Sequence, residues 1–263
     1  MRSLALTTTL VLTGCAAPLP SSCFEEATEG ECVVWEEPVY LPPRNAAEEQ
    51  VVLNACNAPC VVAKREVKLA RPSSEPQAVP LLKKLRHPLL LQSSDGDRGV
   101  DLDLGPIPGL ATMTVFEATT LRSLKGLDTP RQIIVSVSRS PSIESLEGVP
   151  SNAIGLRLRD LGLSSLQGLG GMTSLGSLEL MNLPKLRQID HLDQLTDVGS
   201  LVVDGTGLTS LGGFSPNLKV AAGYIQANFS LSNCEAQDFA SRVLKTPQQP
   251  GGGISVADNG PCP

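Results

Sequence analysis

Aromatic side chains are scarce in this chain: one Trp, two Tyr and five Phe among 263 residues. The hydrophobic share of 41% is still enough for a core, so that core must be aliphatic, built from layers of Leu, Ile and Val. Histidine is scarcer, with only His87 and His191. His87 precedes Pro88, and neither histidine has a Ser, Cys or metal-ligand spacing beside it. No nucleophilic dyad or zinc site can be read here, so no enzyme activity, metal or cofactor is expected. Basic charge is short as well. The net charge is −6 and the pI near 5.0. Phosphate binding needs a concentrated basic face, so nucleic acid is not an expected partner.

What the chain has is repetition. The spaced apolar triplet Leu121, Leu124, Leu127 returns as Ile143, Leu146, Val149 and as Leu163, Leu166, Leu169. It returns again as Leu186, Ile189, Leu192 and as Leu208, Leu211, Phe214, in steps of 22, 20, 23 and 22 residues. A second track runs ahead of it: Met113/Val115, Val135/Val137, Leu156/Leu158, Leu178/Leu180 and Leu201/Val203, with Ile225 continuing it. An L-x-L pair and an L-x-x-L-x-x-L run on this period predict a leucine-rich solenoid, in which short parallel strands stack and each layer buries its neighbour's open face. Gly126, Gly148, Gly168 and Gly213 precede the third anchor in four copies, with His191 in the exception. Glycine there fits a bend of positive φ or a close approach between layers.

Residues 1–14 read as a secretory signal: Arg2 gives a positive start, and the apolar residues 4–12 are too few for a permanent membrane span. The segment closes on Leu12-Thr13-Gly14-Cys15, which resembles the lipobox of bacterial lipoproteins. That resemblance implies cleavage before Cys15, diacylglycerol on its thiol and acylation, palmitate included, of the new amino end. Such a set of chains anchors durably where a single one holds marginally. Ala16 stands where an Asp would signal inner-membrane retention, so the outer membrane is the expected address. The remaining six cysteines, Cys23, Cys32, Cys56, Cys60, Cys234 and Cys262, read as three disulfides in an oxidising compartment. Fifteen pairings are formally possible. Neighbourhood in sequence favours Cys23–Cys32, Cys56–Cys60 and Cys234–Cys262.

Five regions follow: the signal at 1–14, a lipidated Pro/Ser tether at 15–22, a disulfide-bearing region and linker at 23–99, the solenoid at 100–228 and a cap at 229–263. Residues 51–55 and 61–69 suggest two strands around the Cys56–Cys60 turn. Residues 72–76 suggest a linker, and residues 81–85 a short helix with Lys83 and Lys84 turned outward. Whether this region is a separate module or an N-terminal cap stays open. In the last region, helical spacing runs over 235–244, with Ala236, Phe239, Ala240, Val243 and Leu244 on one side and Asn233 as the cap. Ile254-Ser255-Val256 suggests a final strand, and a Cys234–Cys262 bridge would pin this segment over the open solenoid end.

The S-L-x-G-L units, the irregular period and the Cys-closed helical end are similar to the receptor L-domain-like branch of leucine-rich repeat proteins, in particular bacterial outer-membrane lipoproteins of that kind. The resemblance covers residues 100–263 and the lipobox. It implies a mainly β protein, a short right-handed leucine-rich β-solenoid with a Cys-closed C-terminal cap containing a helix. The chain departs from the standard repeat where an inward Asn belongs: those positions hold Ala118, Ser140, Leu161, Leu183 and Thr206. Its loops are therefore expected to close in another way.

A solenoid displays a surface. The displayed strand positions are Thr114, Ser136, Arg157, Glu179 and Val202, then Phe116, Ser138, Arg159, Met181 and Asp204. Ser136, Arg157, Arg159, Glu179, Met181 and Asp204 are the candidate binding residues of a concave face. Arg157 and Arg159, near Arg139, suit a carboxylate or an anionic sugar; the alternative is solvated charge paired with Asp160 and Glu179. Phe116, Met181 and Val202 offer apolar contacts. The expected function is non-catalytic recognition of a protein or glycan by a protein held to the membrane through its N-terminal lipid. The alternative is a periplasmic structural or assembly factor for outer-membrane components. Residues 95–103 alternate carboxylates as a calcium loop does, but the sixth and twelfth positions of an EF-hand hold Val100 and Pro106. The segment reads as a solvated acidic turn, so calcium titrated into the full chain should give no binding heat; a saturable isotherm would restore the calcium reading.

Overall fold

The computed structural model describes residues 32–41, 43, 45–56, 58–64, 67–69, 84, 89–92, 100–101, 105–106, 110, 112–119, 121–125, 127–128, 132–245 and 253–263. Cys15, the tether, Cys23, the 72–76 linker, Lys83, His87, Gly126 and most of the acidic 95–103 segment lie outside the described residues. The strands are β1 (Val33–Trp35), β2 (Val39–Leu41), β3 (Val61–Ala63), β4 (Val67–Leu69), β5 (Leu89–Gln92), β6 (Val100–Asp101), β7 (Gly105–Pro106) and β8 (Thr112–Phe116). They continue as β9 (Leu121–Ser123), β10 (Leu127–Asp128), β11 (Ile134–Ser138), β12 (Gly155–Arg159), β13 (Ser174–Met181), β14 (Asp197–Asp204), β15 (Lys219–Gln226) and β16 (Gly253–Ala257). Helices occupy Ala46–Cys56 and Asn233–Val243.

Ten strands form one sheet in the order β2-β4-β5-β8-β11-β12-β13-β14-β15-β16, and every pairing in it is parallel. Parallel neighbours in chain order force the chain back to the same end after each strand, which makes a coil. The protein is mainly β, a parallel β-solenoid closed at its C-terminal end by a helix and a disulfide. The two inward rows expected from sequence are in register: Met113, Val135, Leu156, Leu178 and Leu201 in one, Val115, Val137, Leu158, Leu180 and Val203 in the other. All ten are wholly buried. Apart from Leu127, the members of the five triplets are buried too, and they join the same core cluster. Truncating any one of these leucines to Ala carries the usual core penalty of about 2–5 kcal/mol.

The S-L-x-G-L unit now has a physical reading. The hydroxyls of Ser123, Ser145, Ser165 and Ser210 each accept from the backbone N–H two residues on, at 3.0–3.2 Å. This closes a small turn that aims the Leu inward. The glycine then bends the chain: Gly168 has φ +107°, and a Cβ there would lie 2.3 Å from the Leu146 carbonyl carbon. Gly213 has no such φ, but its Cβ would fall 1.8 Å from the Ile189 oxygen, so close approach alone demands it. His191 takes the bend at φ +57° without being glycine.

A second bend follows each main strand. Glu117, Arg139, Asp160, Asn182, Gly205, Ala227 and Asp258 all have φ between +49° and +62°. Through Ala227, each donates its N–H to the last strand carbonyl of the next layer, at 2.8–3.3 Å. The residues after them point inward: Ala118, Ser140, Leu161, Leu183, Thr206 and Asn228 are all buried. Among these, the hydroxyl of Ser140 accepts from Ala118 N at 3.1 Å, whereas the side chains of Leu161 and Leu183 contribute apolar packing. At the C-terminal end an amide ladder does appear. Asn228 Oδ1 accepts from Thr206 N and Oγ1 at 2.9 and 2.6 Å, and Asn228 Nδ2 donates to Val203 O and Gln226 O at 3.1 and 2.8 Å. Asn259 extends it by one layer.

Several expectations are corrected. The repeat does not end at Asn228: β16 pairs with β15, so a last, longer turn carries the helix on its return side. Nor does the ladder begin near residue 100, since β2, β4 and β5 continue it toward the N-terminus. Residues 51–55 are helical, because Asn45 Oδ1 caps the N–H groups of Ala47 and Glu48 at 3.1 and 3.0 Å and Glu48 and Glu49 occupy the first turn. Cys32 bonds to Cys60, which overturns both Cys23–Cys32 and Cys56–Cys60. The sheet decides this: β1 pairs with β3 so that Val33 faces Val61. Cys32 and Cys60 therefore stand side by side, and Val33 N donates to Cys60 O at 3.0 Å. Cys56, at the end of the helix, is disulfide-bonded as well. Lys84 is not turned outward: its Nζ donates to Cys56 O at 2.6 Å, and desolvation lowers its pKa. At the second helix Ser232, not Asn233, is the N-cap, and it makes no side-chain cap bond. Cys234–Cys262 forms as expected, and Phe239 sets its ring 5.3 Å from that of Phe214, the last anchor of the coil.

Asn228→Ala strips partners from Thr206 N–H and from the Val203 and Gln226 carbonyls inside the core. We expect a loss of about 2–4 kcal/mol in urea unfolding; a loss under about 1 kcal/mol would remove the ladder from the list of essential contacts.

Candidate functional site: the outward strand face

Side chains alternate across a strand, so fixing one row inward fixes the next row outward. Register places Thr114, Ser136, Arg157, Glu179, Val202, Tyr224 and Ser255 in one outward row. Phe116, Ser138, Arg159, Met181, Asp204, Gln226 and Ala257 form the second. All six candidate residues, Ser136, Arg157, Arg159, Glu179, Met181 and Asp204, therefore share this face. Neighbours within a row stand a strand spacing of about 4.8 Å apart, which puts equivalent side chains within reach of one another.

They use that reach. Arg157 Nε meets Glu179 Oε1 at 2.9 Å across β12 and β13. Arg159 Nε lies 3.4 Å from Asp160 Oδ2, and Gln226 Nε2 donates to Asp204 Oδ2 at 3.4 Å. Along the margin, Arg139 Nη1 contacts Glu117 Oε1 at 3.2 Å while its guanidinium carbon sits 5.1 Å from the Phe116 ring centre. Asn182 Nδ2 bonds Asp160 Oδ1 in the same column. Arg157 and Arg159 are thus paired with Glu179 and Asp160, the partners that the solvated-charge alternative named. Three arginines here meet the carboxylates of Glu117, Asp160 and Glu179, and Gln226 meets that of Asp204, so the face carries dense polarity with little net charge. Its chemistry suits many directional hydrogen bonds better than capture of a strong anion.

Val202 does not join the display. It is 7% exposed, flanked in register by Glu179 and Tyr224. Tyr224 and Gln226 are functional candidates that the repeat pattern passed over, because their layer follows the last complete triplet. The marginal column Glu117, Arg139, Asp160 and Asn182 was also missed; its signal is a polar residue directly after each strand, at steps of 22, 21 and 22. Cys15 and most of the acidic turn lie outside the described residues.

One other concavity stands at the N-terminal end of the coil. A cleft of about 420 Å³ lies between β1, β2 and the first helix, with Val34, Trp35 and Val51 in its walls and Glu37 and Glu48 beside them. The Trp35 Nε1–H is buried without a hydrogen-bond partner. Among the described residues, no group of three or more His, Cys, Asp or Glu side chains could hold a metal ion, and no helix is long and apolar enough to cross a membrane.

Fold and surface together define the class: a parallel β-solenoid that presents a ladder of paired polar side chains. Comparison with models of known protein families, with curated proteins and with solved structures gives no match.

Exposed pairs of this kind contribute little to stability, since solvent screens them. A double-mutant cycle on Arg157→Ala and Glu179→Ala, read by urea unfolding, should give a coupling of about 0.2–1 kcal/mol. A coupling above about 2 kcal/mol would make the pair a structural strut.

Proposed function

We propose that this chain is a lipid-anchored recognition protein of the cell envelope, without catalytic activity or cofactor, that binds a protein or glycan through its outward strand face. The observation that carries this reading is the register of two polar rows over an aliphatic core. A rigid lattice of side chains at strand spacing offers many modest contacts to an extended partner with little ordering cost on the protein's side. Arg157, Arg159, Glu179, Met181, Asp204 and Ser136 are its central contacts, joined by Tyr224 and Gln226. The S-L-x-G-L repeat and the Cys-closed helical end support placing it with leucine-rich, receptor L-domain-like proteins.

The anchor rests on the Leu12-Thr13-Gly14-Cys15 tetrad. The Cys32–Cys60 and Cys234–Cys262 bonds support an oxidising, exported setting, and Ala16 supports the outer membrane as the address. The second reading, a periplasmic assembly factor for outer-membrane components, differs in where the strand face points. Protease applied to intact cells, with detection of this chain by blot and Cys15→Ser as the unanchored control, separates the two. We expect digestion in intact cells and release of the Cys15→Ser form from the membrane. Protection until the outer membrane is permeabilised would put the assembly role first. Failure of Arg157→Glu with Arg159→Glu to weaken any captured partner would remove the strand face from the proposal.

A further inference from the structure

The last rung of the polar ladder is chemically unusual. Asn259 is followed by Gly260, the one Asn-Gly pair in the sequence. In such a pair the glycine amide nitrogen can reach the asparagine side-chain carbon unhindered, which makes it the dipeptide most prone to deamidation. Here every group that the reaction needs is engaged. Gly260 N donates to Leu231 O at 2.7 Å and to Asn228 O at 3.3 Å. Asn259 Nδ2 donates to Ile225 O at 3.0 Å and to Asn233 Oδ1 at 3.3 Å, while Asn259 Oδ1 accepts from Asn228 N and Nδ2 at 3.2 and 3.0 Å. Ring closure requires Gly260 N to leave Leu231 and turn onto Asn259 Cγ, so the reaction waits on local opening of residues 258–263.

What resists that opening is a short clasp. Ser232 and Gly260 form a parallel bridge, Asn233 N donates to Gly260 O at 2.8 Å, and Cys234 bonds to Cys262. The covalent bond ties residues two positions beyond each side of the bridge, so the hydrogen bonds cannot separate far while it is intact. We infer that Asn259 is a latent deamidation site held shut by the Cys234–Cys262 disulfide, and that a thiol reductant opens it. Opening consumes a dithiol, which supplies two electrons and two protons to the sulfurs. Deamidation itself transfers no electrons. The Gly260 nitrogen forms a bond to Asn259 Cγ and loses its proton, the side-chain nitrogen leaves as ammonia, and water then opens the succinimide to aspartate or isoaspartate. The product has lost the Nδ2 donor and turns a carboxylate toward the Ile225 carbonyl and Asn233 Oδ1, two acceptors. The end layer then cannot re-form its ladder.

The test uses the full oxidised chain beside a Cys234→Ser/Cys262→Ser variant, incubated without reductant at mildly alkaline pH. Mass spectrometry of the peptide containing Asn259 follows conversion of amide to acid. We expect the variant to convert about tenfold faster or more, as its local opening becomes cheaper; equal rates in the two chains would overturn the proposal. If circular dichroism shows that the variant has unfolded throughout, amide hydrogen exchange at Gly260 in the oxidised wild-type chain decides instead. Slow exchange there supports the clasp, and exchange at the rate of an unstructured peptide refutes it.

Discussion

A parallel strand cannot satisfy its own backbone; it depends on a neighbour that the chain reaches only one turn later. That dependence governs this molecule. The return path must bring each strand to the same end, in the same register, with a bend at both corners. The bend after the strand is made in the left-handed region by Glu117, Arg139, Asp160 and Asn182, at a cost of about 1–2 kcal/mol for each non-glycine residue. What offsets it is a hydrogen bond to the next layer at every such corner. The corner is therefore not a loop appended to a sheet. It is the sheet's last rung.

The core follows from this geometry. Once every turn returns to one register, a row of side chains is buried if its first member is, and apolar spacing in the sequence becomes a faithful image of the interior. The two inward rows and the triplets were legible for that reason. The S-L-x-G-L unit was legible as a repeat, yet its serine has meaning only when its hydroxyl is seen closing a turn. Pairings set by register alone were hidden. Nothing in the spacing of Cys32 and Cys60 announces that β1 and β3 lie side by side. The first helix was hidden by a Val-rich composition that reads as strand until Asn45 is recognised as a cap. Asn228 stands on the period, 22 residues after Thr206, whereas Asn259 was hidden by a turn lengthened to 31 residues, which breaks the period where the ladder turns polar.

The outward face was legible in its membership and left between two readings in its charge. Alternation placed Arg157, Arg159, Glu179, Met181 and Asp204 together, and register kept them there. Two neighbouring arginines could make a cationic spot or pair locally, and the sequence offered both readings. Arg157 pairs with Glu179 across the ladder, and Arg159 with Asp160, the residue that follows it. Polar side chains thus spend much of their bonding on one another, and a partner must compete with these pairs or bridge them.

The inward residues after the second bend differ from layer to layer: a hydroxyl at Ser140, leucines at 161 and 183, then Thr206 and two asparagines. Each answers the layer beside it. A Leu in place of Thr206 would leave the Asn228 amide oxygen without the hydroxyl donor that Thr206 supplies, and an Asn between Leu161 and Leu183 would face hydrocarbon. The turns look like copies, yet they are not interchangeable. The coil has a written sequence of layers, so shuffling its repeats would scramble it even though every repeat kept the same shape.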